Sequence, residues 1–310
     1  MLWALLSIVG AAANAAYYII IKRTIGALDP KFLSGAGFIT GGILLFSLSA
    51  VQGFPRIGPD YYPAVIVSAF LNIVGLHLIF AALSESDLSL SMPMLSFTPA
   101  FLVGTSYLLL GETPSLFGII GIFVIVGGSY VLNISAAHEH FLDPVRSMLR
   151  NRGSWYMLVV AFLFAVSINF DKIALLNSDP VFGMACTLGL IGLALLILPA
   201  IPSFVRRIRP LSPEITFPRT SLPDAGVQAV RFRSYLLPAL LIAIFAAAES
   251  VSINVAYTLQ IVSYVISLKR LGILFMVLYG TVVCREDELA TRFAGSAMMV
   301  GGAVIILLLA

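Results

Sequence analysis

The chain has 310 residues, 60% of them hydrophobic and only 11% charged, with a mean hydropathy of +1.03 and a formal net charge of +3. A soluble globular domain carries roughly 25% charged residues, and a chain this long must still coat its surface, so the composition excludes a soluble fold and makes lipid the solvent. The small net charge gives no footing for a nucleic-acid partner.

A bilayer core of about 30 Å needs roughly 20 apolar residues per helix. Ten such runs follow one another: 2–21, 32–51, 62–83, 90–110, 116–134, 155–175, 181–204, 235–257, 262–284 and 293–309. Helices are the expected form, because every backbone group in lipid must be paired within its own segment. The first run has an alanine-rich middle like a cleavable leader, but no basic stretch precedes it and it continues through Ile21, so it reads as a retained span. Asn14, Tyr17 and Tyr18 share one of its faces and are candidates to line a cavity. Asp29-Pro30, Gly58-Pro59, Thr113-Pro114 and Asp179-Pro180 all fall between runs, as breakers should. Asn72 and His77 lie deep in the third run; each is a candidate substrate ligand, with an interhelical hydrogen bond as the plainer role. Pro93 and Pro99 in the fourth run either kink or unwind it so that carbonyls face a cavity, or make an ordinary tolerated kink. Glu112 then precedes Thr113, the expected cap of the fifth helix, with Pro114 in its first position.

Residues 135–154 form a polar connection with a short amphipathic turn expected around 141–149. The sixth run carries Asn169 and Asp171 as cavity candidates, and Lys172 near its end, where snorkelling to the interface is expected, as for Lys22. Residues 206–234 are basic, proline-rich and expected to be irregular. Glu249 lies well inside the eighth run, flanked by Ala246, Ala247, Ala248 and Val251. An ionisable group at that depth is a functional hypothesis by default; the structural reading beside it is an interhelical bond made by a protonated carboxyl. Ser250, Asn254 and Tyr257 continue the same helix at i, i+4, i+7 as one polar stripe. In the ninth run Lys269 and Arg270 are expected to meet an anionic substrate group, with one of the two snorkelling instead. Cys186 and Cys284 stand far apart with no metal spacing and read as packing thiols. Trp3, Tyr61, Tyr62, Trp155, Tyr156 and Tyr235 sit at run edges, where an interfacial aromatic belt belongs.

The chain repeats itself. Glu112, Gly121, Gly127 and Gly128 fall on Glu286, Gly295, Gly301 and Gly302 at a constant shift of 174, as do Tyr61 on Tyr235 and Ser89 on Ser263. Lys22 and Asp29-Pro30 fall on Lys172 and Asp179-Pro180 at a shift of 150. The difference locates an insertion at 206–234. Residues 1–134 are thus a first five-helix repeat, 135–154 a connection, and 155–310 a second repeat. Five spans is an odd number, so the fold class expected is an all-α membrane protein whose ten transmembrane helices form two inverted repeats, with a site near the midplane between them.

The stretch from Ser91-Met92-Pro93 through Thr98-Pro99 to Leu110-Gly111-Glu112, that from Tyr264 through Lys269-Arg270 to Gly280 and Glu286, and the closing glycine patterns of each half resemble the EamA-type branch of the drug/metabolite transporter superfamily. The similarity covers nearly the whole chain, with Cys284-Arg285 departing where the first half has Leu110-Gly111. The resemblance implies a multi-pass protein of the cell (inner) membrane. It would move a small metabolite or amphipathic compound, often outward, by alternating access, with the fifth and tenth helices outside the transport core. The residues themselves leave coupling open between proton exchange through Glu249 and facilitated diffusion; a lipid flippase is a further alternative. No HExxH, GxSxG, intramembrane aspartate pair or GxxxxGK[ST] is present, and His138-Glu139-His140 alone is too short a signal for a metal, so no enzyme, cofactor or ATP coupling is expected. A channel would need a polar stripe on several helices, and polar groups are sparse. Fourteen Lys and Arg residues follow odd-numbered spans against four on the other side. By charge, both termini lie outside; by resemblance, both lie inside.

Overall fold

The computed structural model describes residues 1–24, 28–85, 92–133, 152–197, 225–276, 279 and 289–310. Among them ten α-helices follow in order: α1 (Leu2–Thr24), α2 (Pro30–Gln52), α3 (Tyr61–Glu85), α4 (Thr98–Leu110), α5 (Leu116–Asn133), α6 (Arg152–Leu176), α7 (Ala185–Ile197), α8 (Ala225–Leu259), α9 (Val262–Lys269) and α10 (Leu289–Leu309). Five contain stretches long and apolar enough to cross a membrane by length and composition: Leu2–Ile21, Lys31–Gln52, Tyr61–Ile79, Arg152–Leu176 and Tyr235–Leu259. Four shorter apolar helices join them, Met94–Leu110, Leu116–Leu132, Ala185–Ile197 and Ala294–Leu309. The outer surface displays large apolar side chains such as Ile43, Ile66, Phe70, Leu108, Phe123, Leu240 and Val304, a surface suited to lipid. The fold is that of a multi-pass membrane protein.

Local chemistry sets the boundaries. The Asp29 carboxylate accepts from the backbone N–H groups of Lys31 and Phe32 at 2.8 and 3.2 Å. Asp179 does the same for Val181 and Phe182 at 2.7 and 2.6 Å. Each Asp-Pro pair thus caps the chain entering a helical segment. Three expectations need correcting. The cap of α5 is Ser115, which accepts from Gly118 N–H at 3.0 Å, and not Thr113, because the helix begins two residues beyond Pro114. Residues 225–234, expected to be irregular, already belong to α8; no proline interrupts the sequence between Pro223 and Pro238, so nothing blocks helix formation there. Tyr61, at the first residue of α3, is fully buried against protein rather than turned outward, while Tyr62 and Trp155 do face outward. Cys186 is a free, half-buried thiol packed near Tyr61 and Phe182; Cys284, the amphipathic turn around 141–149 and Glu286 lie outside the described residues.

Packing pairs the first five helices with the last five. α1 lies on α8, α2 on α7, α3 on α6 and α5 on α10, while α9 touches α1 and α4. Glycines fix the closest approaches. A Cβ on Gly121 would stand 2.8 Å from the Gly302 carbonyl oxygen, and one on Gly128 2.7 Å from that of Gly295, so α5 and α10 cross antiparallel with their backbones in contact. Gly35 and Gly42 meet Gly192 and Ala185 in the same manner across α2 and α7. α1 begins, α6 ends, α8 ends and α10 ends on one side of the bundle, here called the terminal face. The Gly58 N–H to Asn177 carbonyl bond and the packing of Trp3 on Tyr264 lie at this face.

Candidate functional site

The charged centre of the bundle is built by three helices. α8 ends at Leu259, so Glu249 lies about 15 Å inside it at 1.5 Å per residue, close to the middle of a bilayer core about 30 Å thick. The Asn14 amide of α1 donates to both oxygens of the Glu249 carboxylate, at 3.1 and 3.0 Å. The Lys269 ammonium at the end of α9 lies 2.5 Å from the same carboxylate. Small residues let these helices meet. A Cβ on Gly10 would overlap Ile253 of α8, and one on Gly272 would stand 2.8 Å from the Ala11 carbonyl oxygen. The side chains of Lys269 and Glu249 keep 28% and 18% of their exposure, so the pair borders space that water or a solute can enter.

Pro99 supplies a second feature. It has no N–H, so the carbonyl four residues earlier, that of Leu95, loses its helical partner. The segment Met92–Phe97 accordingly runs as a 3-10 helix before α4. The freed Leu95 carbonyl accepts from Thr98 Oγ1 at 2.8 Å and from the Arg270 guanidinium at 3.2 Å. The prolines thus unwind the start of the fourth run, and the carbonyl they free is taken up by Thr98 and Arg270. Snorkelling does not: Lys269 and Arg270 both turn to partners inside the bundle.

The other sequence candidates divide. Tyr17 sits beside the centre, with its hydroxyl 3.0 Å from Ser34 Oγ and its ring stacked on Phe38. Asn72 belongs to a separate cluster between α3 and α6. It donates to the Ser68 carbonyl at 3.0 Å and to Ser167 Oγ at 2.6 Å, while Ser68 hydrogen-bonds the Asp171 carboxylate. Asn169 donates to Thr105 Oγ1 of α4 at 3.0 Å. Asn254 donates to the Pro180 carbonyl at 3.0 Å and so ties α8 to the chain entering α7; the polar stripe of α8 does not face one cavity. Tyr257 is buried among Leu102, Ile253, Val262 and Ile266. His77 Nδ1 lies 2.7 Å from the Ile73 carbonyl of its own helix, which can only accept, so that nitrogen carries the proton. Lys172, expected at the interface, is buried and pairs with Glu112 at 2.5 Å. Neither Ser68 nor Thr105 stood out in the sequence, because a lone hydroxyl in an apolar helix usually bonds its own backbone.

Residues 1–134 match the EamA-like transporter family, so the resemblance read from the sequence is borne out over those residues. A segment of 70 residues is 40% identical to an uncharacterized protein of Methanocaldococcus jannaschii; the match takes in 23% of this chain and 51%, about half, of that relative. A solved crystal structure superposes with a TM-score of 0.71 over 99% of this chain and 97% of its own, at 15% identity, and at that identity the likeness speaks for the fold alone.

Proposed function

With the first 134 residues an EamA-like transporter segment, we propose that the chain is a secondary transporter of two inverted five-helix repeats. It carries a small metabolite or amphipathic compound outward across the cell membrane by alternating access. Contacts that recur under exchange of the halves support the inversion. The Tyr61 hydroxyl donates to the Phe182 carbonyl with the rings 5.3 Å apart; at the matching positions Phe32 and Tyr235 have rings 5.2 Å apart, and Tyr235 accepts from Asp29 N–H. The reciprocal glycine contacts of α5 with α10, and of α2 with α7, map onto themselves under the same exchange.

The observation that carries the function is Glu249, held mid-membrane by Asn14 and Lys269. Protonation of the carboxylate removes the charge that holds Lys269, and deprotonation restores it. That exchange lets one proton trade against a cargo molecule competing for the same groups. The test is transport in proteoliposomes with and without an imposed pH gradient, for the wild type and Glu249→Gln. The proposal expects the gradient to drive the wild type and not the variant. Equal responses remove Glu249 as the coupling group, and no response in either makes the protein a uniporter. Cargo is found by a thermal-shift screen against a metabolite library, in which stabilisation only by large lipids would favour a flippase.

A further inference from the structure

On the terminal face the halves are joined by polar groups where a lipid-soluble bundle needs none. The Lys172 ammonium of α6 pairs with Glu112 at 2.5 Å and donates to the Gln260 carbonyl at 3.2 Å. The other oxygen of Glu112 accepts from Val262 N–H at 2.8 Å. Ile261, the residue before α9, contributes no side-chain cap, so Glu112 caps that helix from the other half of the chain. Gly111 makes the reach possible. Its φ of 68° ends α4 in the left-handed region and turns the chain back.

Beneath this pair the polar groups continue toward the centre. Asn169, about one turn inward from Lys172, bonds Thr105 at 3.0 Å, and Ser106 bonds Ser263 at 3.0 Å. Ser106, Ser263 and Asn169 are fully buried, and Asn169 Oδ1 has no hydrogen-bond partner among the described residues. Buried polar atoms left unpartnered are rare and call for a reason. Apolar side chains of similar volume would seal the same helices at least as well. A surface that is wetted in another conformation needs hydroxyl and amide groups, and these then bond each other when the surface closes. We propose that this seam between α4, α6 and α9 is the part of the permeation path that is closed in this structure, with Glu112–Lys172 as its latch. The proposal rests on the transport reading. Because Glu112 also holds the first turn of the helix that ends in Lys269, opening the latch releases the cation of the central site.

The test is the modification of Ser106→Cys by a charged thiol reagent in purified protein lacking Cys186 and Cys284. Adding Lys172→Met or Glu112→Gln should raise the rate about tenfold, as a minor open state becomes common, and Lys172→Arg should leave it unchanged. A second probe, Leu188→Cys in the α2–α7 contact, should stay protected throughout. Unchanged labelling in both latch variants overturns the proposal. A rise at both probes also overturns it, since it makes the pair ordinary packing. The assay needs neither cargo nor a gradient, so its failure is distinct from a failure of proton coupling.

Discussion

The α1–α8 and α3–α6 interfaces each join a helix of the first five to one of the last five, and they carry different chemistry. Under the repeat register Glu249 falls on Gly75 and Asn14 on Phe164. In the first pair an amide grips a carboxylate; in the second a Cβ on Gly75 would stand 2.6 Å from the Phe164 ring. The α3–α6 interface has its own carboxylate, Asp171, set nearer the terminal face and bonded to the Ser68 hydroxyl. Among the described residues only Glu249 of these two has an ammonium partner. Both interfaces bring one helix of the first five against one of the last five, and, among the described residues, only one of them carries a carboxylate–ammonium pair. On the proposed transport reading one charged centre needs no symmetric pair, because the moving boundary and not the site has to be two-sided.

The sharpest way to break this comparison is Glu249→Leu. It strands Lys269 without its carboxylate, and the melting temperature of the purified protein should fall by the equivalent of about 2 kcal/mol, below the ~3–5 kcal/mol of a fully buried pair because both groups keep some exposure. Adding Lys269→Leu should recover most of that loss while transport stays absent; recovery of transport would show that the pair is only structural. Asn14→Leu should weaken the centre less, by about 1–2 kcal/mol in the same melt, since the carboxylate loses one donor and keeps its ammonium. On the other interface Gly75→Ala should cost about 1 kcal/mol by overpacking, and Phe164→Leu in the same chain should relieve it. If Gly75→Ala abolishes transport with no change in the melt, the α3–α6 contact is itself part of the working site.

Much of this was legible in the residues alone. Ten apolar runs, the Asp-Pro breaks and the register-matched glycines are local or periodic features, and each reports a physical demand that a short stretch must meet by itself: length to cross lipid, a stop and restart of the helix, room for a neighbouring backbone. Glu249 was visible for the same reason, since a carboxylate inside an apolar run is costly wherever its helix packs. Pro99 likewise announced a freed carbonyl. What lay across the fold was not legible. Asn14 and Glu249 are separated by 235 positions, and nothing in either helix names the other. Lys172 and Glu112 each read as ordinary span-end charges until α6 and the α4–α5 turn come together, and Asn254 reads as part of one polar stripe until the fold sets the Pro180 carbonyl beside it. A side chain's type fixes what it requires. Only tertiary packing, which sets distance and excludes water, decides which group supplies it.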